Sequence, residues 1–142
     1  LRDIAGIRVI CYFIDDIYNL VNALKRQSEL IFIREKDYIQ NPKPNGYRSF
    51  HVIIAVPVYY LDTMEYFPVE IQLRTMTMDL WASMEHRVCY KKLPEHRDEL
   101  AEAFCQYADI LGKIEEQFEA YNETGMLEEI TPAQITENPT EG

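Results

Sequence analysis

At 142 residues and 47% hydrophobic, the chain has apolar material for one buried core, which excludes a wholly disordered protein and predicts a single domain with a helical appendage. Its net charge of −10 is unevenly spread: residues 1–92 carry +1 and residues 93–142 carry −11, so the acidic part argues against general nucleic-acid binding there. No apolar run reaches the roughly eighteen residues of a membrane span and no signal peptide precedes the first element, so a soluble, cytoplasmic location is expected.

Taken in order, residues 6–13 are β-branched and aromatic and read as a buried strand. Asp15 and Asp16 then suit the start of a helix in which Ile17, Leu20, Val21 and Leu24 recur at helical spacing. Residues 30–34 read as a second strand that leads into the stretch 36–51. Residues 49–58 are a third strand with His51, Ile53 and Ala55 on one face, and after a turn at 61–64 residues 69–74 are a fourth, its antiparallel neighbour. In that fourth strand Glu70, Gln72 and Arg74 alternate with Val69, Ile71 and Leu73, so a polar face is set against an apolar one.

A helix is predicted over 75–91, with Met78, Leu80, Trp81, Met84, Val88 and Tyr90 as its apolar, core-facing surface. Pro94 separates it from a last helix of about 28 residues over 95–122, ended by Gly125 and long enough either to project as a subunit contact or to fold back across the sheet. Residues 125–142 read as a weakly ordered acidic tail. Cys11, Cys89 and Cys105 are odd in number, widely spaced and set in apolar patterns, as reduced thiols are, and no zinc spacing is present.

The stretch 36–51 carries the chemistry. It gathers Lys36, Lys43, Arg48, Tyr47, Asn45 and His51 around Pro42, Pro44 and Gly46, the composition of a stiffened loop that displays side chains. Cations suit phosphate oxygens, a tyrosine ring offers a flat face to a base, and an amide can read a base edge, so a nucleotide site is expected. Each residue alone has a plainer reading, as a solvated lysine, a core aromatic or a bonded strand histidine; their joint spacing favours the site.

Three motifs in order carry a resemblance over about residues 3–120. Asp3 to Arg8, then Lys36-Asp37-Tyr38-Ile39 through Pro42-Lys43-Pro44-Asn45-Gly46-Tyr47-Arg48-Ser49-Phe50-His51, then Val69-Glu70-Ile71-Gln72-Leu73-Arg74-Thr75 with Trp81 and Glu85-His86, resemble the synthetase domain of RelA/SpoT-type alarmone synthetases, and within it the small RelQ-like branch. The resemblance implies an α/β (α+β) fold, a mixed sheet flanked by helices in a nucleotidyltransferase-like arrangement with a long C-terminal helix. It implies transfer of pyrophosphate from ATP to the 3′-hydroxyl of GTP or GDP, giving (p)ppGpp and AMP. A catalytically silent guanine-nucleotide-binding or regulatory module of the same fold is the alternative.

By the same resemblance Glu70 is the base and, with Asp3, a ligand of Mg²⁺. Lys36, Lys43, Asn45, Tyr47, His51 and Gln72 hold GTP, and Arg8 stacks on the adenine of ATP. A homo-oligomer, a tetramer, is implied as well. Arg34-Glu35-Lys36-Asp37 matches the family's basic RxKD motif, the counterpart of an acidic ExDD form. The family's upstream basic helix and loop, which hold the ATP phosphates, do not occur in this sequence, so residues 1–92 are expected to be a synthetase core lacking its N-terminal part.

Overall fold

A computed structural model describes residues 4–90 and 94–125. Asp3 and the tail beyond residue 125 lie outside the described residues. The elements run β1 (Ala5–Cys11), α1 (Ile14–Lys25), β2 (Ile31–Asp37), β3 (Phe50–Tyr60), β4 (Thr63–Thr75), α2 (Met76–Cys89), a 3₁₀ turn (Pro94–His96), α3 (Arg97–Ala120) and a closing π-helical turn (Tyr121–Gly125).

The four described strands form one sheet in the order β1-β4-β3-β2. β4 pairs with β3, and β3 with β2, antiparallel, while β1 joins β4 in parallel, so the sheet is mixed as expected. The β3–β4 hairpin is longer than its sequence indicated, because pairing continues to Tyr60 opposite Thr63 beyond the reach of either outer strand. It turns at Leu61 and Asp62, where Leu61 takes a left-handed φ of 53° and Thr63 Oγ1 donates to the Tyr60 carbonyl at 2.9 Å.

One face of this sheet is apolar, as the alternation of β4 requires. Ile17 and Val21 of α1 are fully buried against Phe50, Val52 and Ile54 of β3 and Ile71 and Leu73 of β4, with Val9, Cys11 and Phe32 at the margins. Helix α1 starts two residues earlier than a cap at Asp15 would set it: Phe13 stands at the cap position, Asp15 and Asp16 lie in the first turn, and Asp16 reaches back to accept the Phe13 backbone N–H at 3.2 Å. Thr75 caps α2 by accepting the Met78 N–H.

Helix α3 does not fold back across the sheet: it packs on α2, and its 24 residues lie between a 3₁₀ turn and a π-helical turn, so helical structure covers the predicted 95–122. Trp81, Phe104 and Ala108 form a second buried cluster, and the indole N–H of Trp81 donates to the Phe104 carbonyl at 2.7 Å. Thr77 donates to the buried Glu115 on the same seam. The far side of α3 exposes Tyr107, Ile110, Ile114, Phe118 and Tyr121, a stripe at helical spacing.

Candidate functional site

Because α1 covers one face of the sheet, the polar alternation of β4 falls on the other. Strand register sets Lys36, His51, Gln72 and Arg8 in one row, one residue from each strand, and Arg34, Ile53, Glu70 and Gly6 in the next. Strict alternation along β2 would put Arg34 and Lys36 on the same side as Phe32, which faces the core. A bulge between Phe32 and Arg34 shifts the register by one, so the apolar start of the strand serves the core and its basic end serves the open face. Lys36 and Asp37 therefore belong to β2, and Phe50 and His51 to β3; only residues 38–49 of the predicted loop are loop.

Glu70 lies at the centre of this face. It lines a cavity of about 220 Å³ with Arg34, Lys36, Tyr38 and His51, and another of about 240 Å³ with Gly6, Arg8 and Gln72. Among the described residues its carboxylate makes no hydrogen bond or ion pair, so its oxygens keep their full accepting capacity. An unpaired carboxylate shared by two clefts, one holding Arg34 and Lys36 with Glu35 and the other Arg8, is a good donor for a hard divalent cation and can take a proton from a hydroxyl.

The loop is set by its own short contacts. At its entry Asp37 Oδ1 accepts the N–H groups of Ile39 and Gln40, both at 2.9 Å, and Oδ2 accepts the Tyr18 hydroxyl of α1 at 2.6 Å. Burial, and then that carboxylate, push the Tyr18 hydroxyl well above its ordinary pKa. At the apex the Gly46 N–H donates to the Lys43 carbonyl, and Asn45 Oδ1 accepts the Tyr47 N–H at 3.0 Å. Gly46 has φ +101°, and an added Cβ would lie 3.0 Å from the Cys105 Cα and 3.1 Å from the Ala108 Cβ, so only glycine lets the loop lie this close to α3. Arg48 donates to the Ala108 carbonyl of that helix, and the buried Ser49 hydroxyl donates to the Leu73 carbonyl of β4.

Tyr47 is the hub of this arrangement. Its hydroxyl oxygen accepts from Arg74 Nη2 at 3.0 Å and lies 2.9 Å from His51 Nε2, in a hydrogen bond whose direction follows the imidazole tautomer. His51 itself is half-buried on this face. Burial lowers its pKa below the ordinary 6.5, nearby Arg74 and Lys43 push the same way, and Glu70 opposes them. Lys43 Nζ lies 5.1 Å from the Tyr47 ring centre and 5.0 Å from that of Tyr38, and the Arg74 guanidinium lies 5.5 Å from Tyr47. A base stacking on this ring takes the place of a cation. Arg74 is held by bonds to Tyr47, Gln72 and Asp79, so the exposed Lys43 is the one able to give way.

The structure thus brings together Arg8, Lys36, His51, Glu70 and Gln72, with Tyr47 and Lys43 at one margin. Asn45 stands apart: its side-chain oxygen serves the loop, and it lines a cavity of about 470 Å³ between α2 and α3 with Glu85, His86, Arg97 and Phe104. Sequence reasoning gave no role to Tyr38 or Asp79. Alternation did set Arg74 on the polar face, but its contact with Tyr47, 27 residues away, exists only in the folded chain.

The region found in RelA/SpoT proteins matches residues 1–95, two thirds of the chain. The chain belongs to the RelA/SpoT family. It is 48% identical over 117 residues to the GTP pyrophosphokinase YwaC of Bacillus subtilis, covering 82% of this chain and 56% of that protein. The crystal structure of small alarmone synthetase 2 from Bacillus subtilis superposes with a TM-score of 0.75 at 45% identity, over 83% of this chain and 64% of that one. Small alarmone synthetase 1 from the same organism, bound to its product pppGpp, gives 0.74 at 28% identity over 85% and 62%. This family member spans about half the length of the curated relatives it matches. Its α+β fold, a mixed four-stranded sheet with helices, is that of the alarmone synthetases.

Proposed function

We propose that the protein is a GTP pyrophosphokinase that transfers the β,γ-pyrophosphate of ATP to the 3′-hydroxyl of GTP or GDP, releasing AMP and forming (p)ppGpp. The observation that carries this reading is the unpaired Glu70 carboxylate shared by two clefts on one sheet face, one toward β1 with Arg8 and one toward β2 with Arg34 and Lys36. The acceptor nucleotide takes the cleft beside the loop, with guanine on Tyr47 and its phosphates near Lys36, Lys43 and His51. Lys43 exchanges the tyrosine ring for a phosphate oxygen as guanine arrives. ATP takes the cleft beside Arg8, whose exposed guanidinium can stack on adenine.

Glu70 removes the proton of the 3′-hydroxyl. The freed oxygen attacks the β-phosphorus of ATP, the bond to the oxygen bridging α and β breaks, and AMP leaves with that oxygen. Glu70, with Asp3, suits Mg²⁺: a carboxylate with all its lone pairs available is the donor a hard cation requires. When bound, the metal neutralises charge on the transferring phosphates. Gln72 stands beside His51 in the row next to Glu70 and offers an amide to the acceptor ribose and phosphates. Residues 1–92 are the catalytic core in this reading, with residues 93–124 forming the helical appendage.

The stripe of Tyr107, Ile110, Ile114, Phe118 and Tyr121 on α3 supports a homo-oligomer in which a second copy covers it. Among the described residues no helix is long and apolar enough to cross a membrane, which agrees with an enzyme acting on nucleotides in the cytoplasm. Full-length protein incubated with ATP, GTP and Mg²⁺ should yield equal amounts of AMP and pppGpp on nucleotide chromatography. Absence of both products would refute the reading, and a monomeric mass by light scattering would refute the oligomer.

A further inference from the structure

We propose that Asp79 couples the two halves of the site, so that filling the ATP half tightens the grip of the other half on guanine nucleotide. The inference rests on the function proposed above, with Arg8 on the ATP side and Tyr47 on the guanine side. Asp79 sits in the first turn of α2 with its side chain 29% exposed. A single oxygen, Oδ1, faces two guanidinium groups: Arg74 Nη1 at 3.1 Å and Arg8 Nη1 at 3.5 Å. One carboxylate oxygen is therefore divided between two cations.

The two cations differ in what they can do. Arg74 is buried, its side chain 8% exposed, with Nη2 bonded to the Tyr47 hydroxyl and to Gln72 Oε1 and with Nε buried and unpartnered. Asp79 is its ion-pair partner among the described residues, and an incompletely satisfied buried cation depends strongly on such a partner. Arg8 is 54% exposed and can leave. When its guanidinium stacks on adenine, Asp79 is left to Arg74 alone. Arg74 is then held more firmly against the Tyr47 hydroxyl, and the base platform is fixed before guanine arrives. The exchange is reciprocal, so guanine nucleotide favours the same release of Arg8. Asp79 is a positioning residue in this scheme and need not touch either substrate.

The test is calorimetric titration of GTP into the full-length protein, with and without saturating α,β-methylene-ATP, for the parent and the D79N variant. The methylene bridge blocks transfer, so only binding is read. An exposed ion pair is worth up to about 1 kcal/mol, which sets the expected extra tightening by the analogue in the parent at about two- to five-fold over that in D79N. The analogue's phosphate charges act on both proteins, and the difference isolates the shared carboxylate. Equal tightening in the two proteins overturns the proposal. A parent protein that binds no GTP overturns the function beneath it, and this inference with it. Asp79→Ser keeps a small polar residue in the first turn of α2 and serves as the second comparison if D79N does not fold.

Discussion

Replacing Gly46 by alanine tests whether the loop over residues 38–49 owes its position to close contact with α3. The backbone there has φ +101°, and holding an L side chain in such a conformation costs about 1–3 kcal/mol. The new methyl would also meet the Cys105 Cα at 3.0 Å and the Ala108 Cβ at 3.1 Å, atoms of a helix that cannot turn aside as a side-chain end can. Overpacking of that kind adds about 1–3 kcal/mol, so the substitution should cost on the order of 2–6 kcal/mol in all. A domain of this size has about 5–15 kcal/mol of stability, so the variant should still fold. The cost should divide between a lower urea midpoint and a loop that lifts from α3, which carries Tyr47 away from Arg74 and weakens GTP binding. Urea denaturation and GTP titration together read both parts. Stability within about 0.5 kcal/mol of the parent with unchanged GTP affinity would refute the reasoning.

Four further outcomes are expected. Glu70→Gln keeps shape and loses the proton acceptor, so turnover should fall by about 10²–10⁴ while GTP affinity stays within about two-fold; parallel loss of affinity and turnover, by titration and product assay, would contradict its role as base. Tyr18→Phe strips Asp37 of a 2.6 Å hydroxyl donor and should destabilise the protein by about 1.5–3 kcal/mol in urea, the range for hydrogen bonds to charged groups. Gly112→Ala sets a Cβ 2.9 Å from both terminal nitrogens of Arg48; the flexible guanidinium should yield and release the Ala108 carbonyl, weakening GTP binding while leaving binding of α,β-methylene-ATP unchanged. Because burial lowers the His51 pKa below 6.5, the unfolded chain takes up that proton first, and stability is lost as pH falls from about 6.5 through the folded value; His51→Gln should show a smaller loss of urea stability between pH 7.5 and 5.5 than the parent.

Where period-2 alternation decides the structure, the sequence was read correctly. Glu70, Gln72 and Arg74 opposite Ile71 and Leu73 gave both faces of β4, and the core followed from Ile17 and Val21 of α1 at helical spacing. β2 was harder because its bulge reverses the alternation between Phe32 and Arg34, and a window that assumes a constant period ends the strand there. Lys36 and Asp37 were consequently read as loop. The place of α3 was illegible for a different reason. Leu100, Phe104, Ala108 and Leu111 recur at helical spacing, which marks a face to be buried, but nothing in that period says that Trp81 of α2 is what covers it. Residue types at the site were legible as a set, but the order of contacts, Asp79 to Arg74 to Tyr47 to His51, joins four elements and cannot be read along one.

Those contacts also explain how a glycine- and proline-containing loop can serve as a rigid platform. It is tied down at entry to α1 through Asp37 and Tyr18, at its apex to α3 through Gly46 and Arg48, and at exit to β4 through Ser49 and Leu73. Three tethers to three elements leave few residues free between them, so most of the ordering entropy is lost on folding rather than on binding. α3 contributes no side chain to the open sheet face, yet it fixes the height at which Tyr47 meets Arg74. A second copy docked on the outer stripe of that helix would press on the same seam, through Phe104 and Ala108, that holds Gly46 in place. Assembly and guanine binding would then act on one set of contacts, and a change in either should be felt by the other.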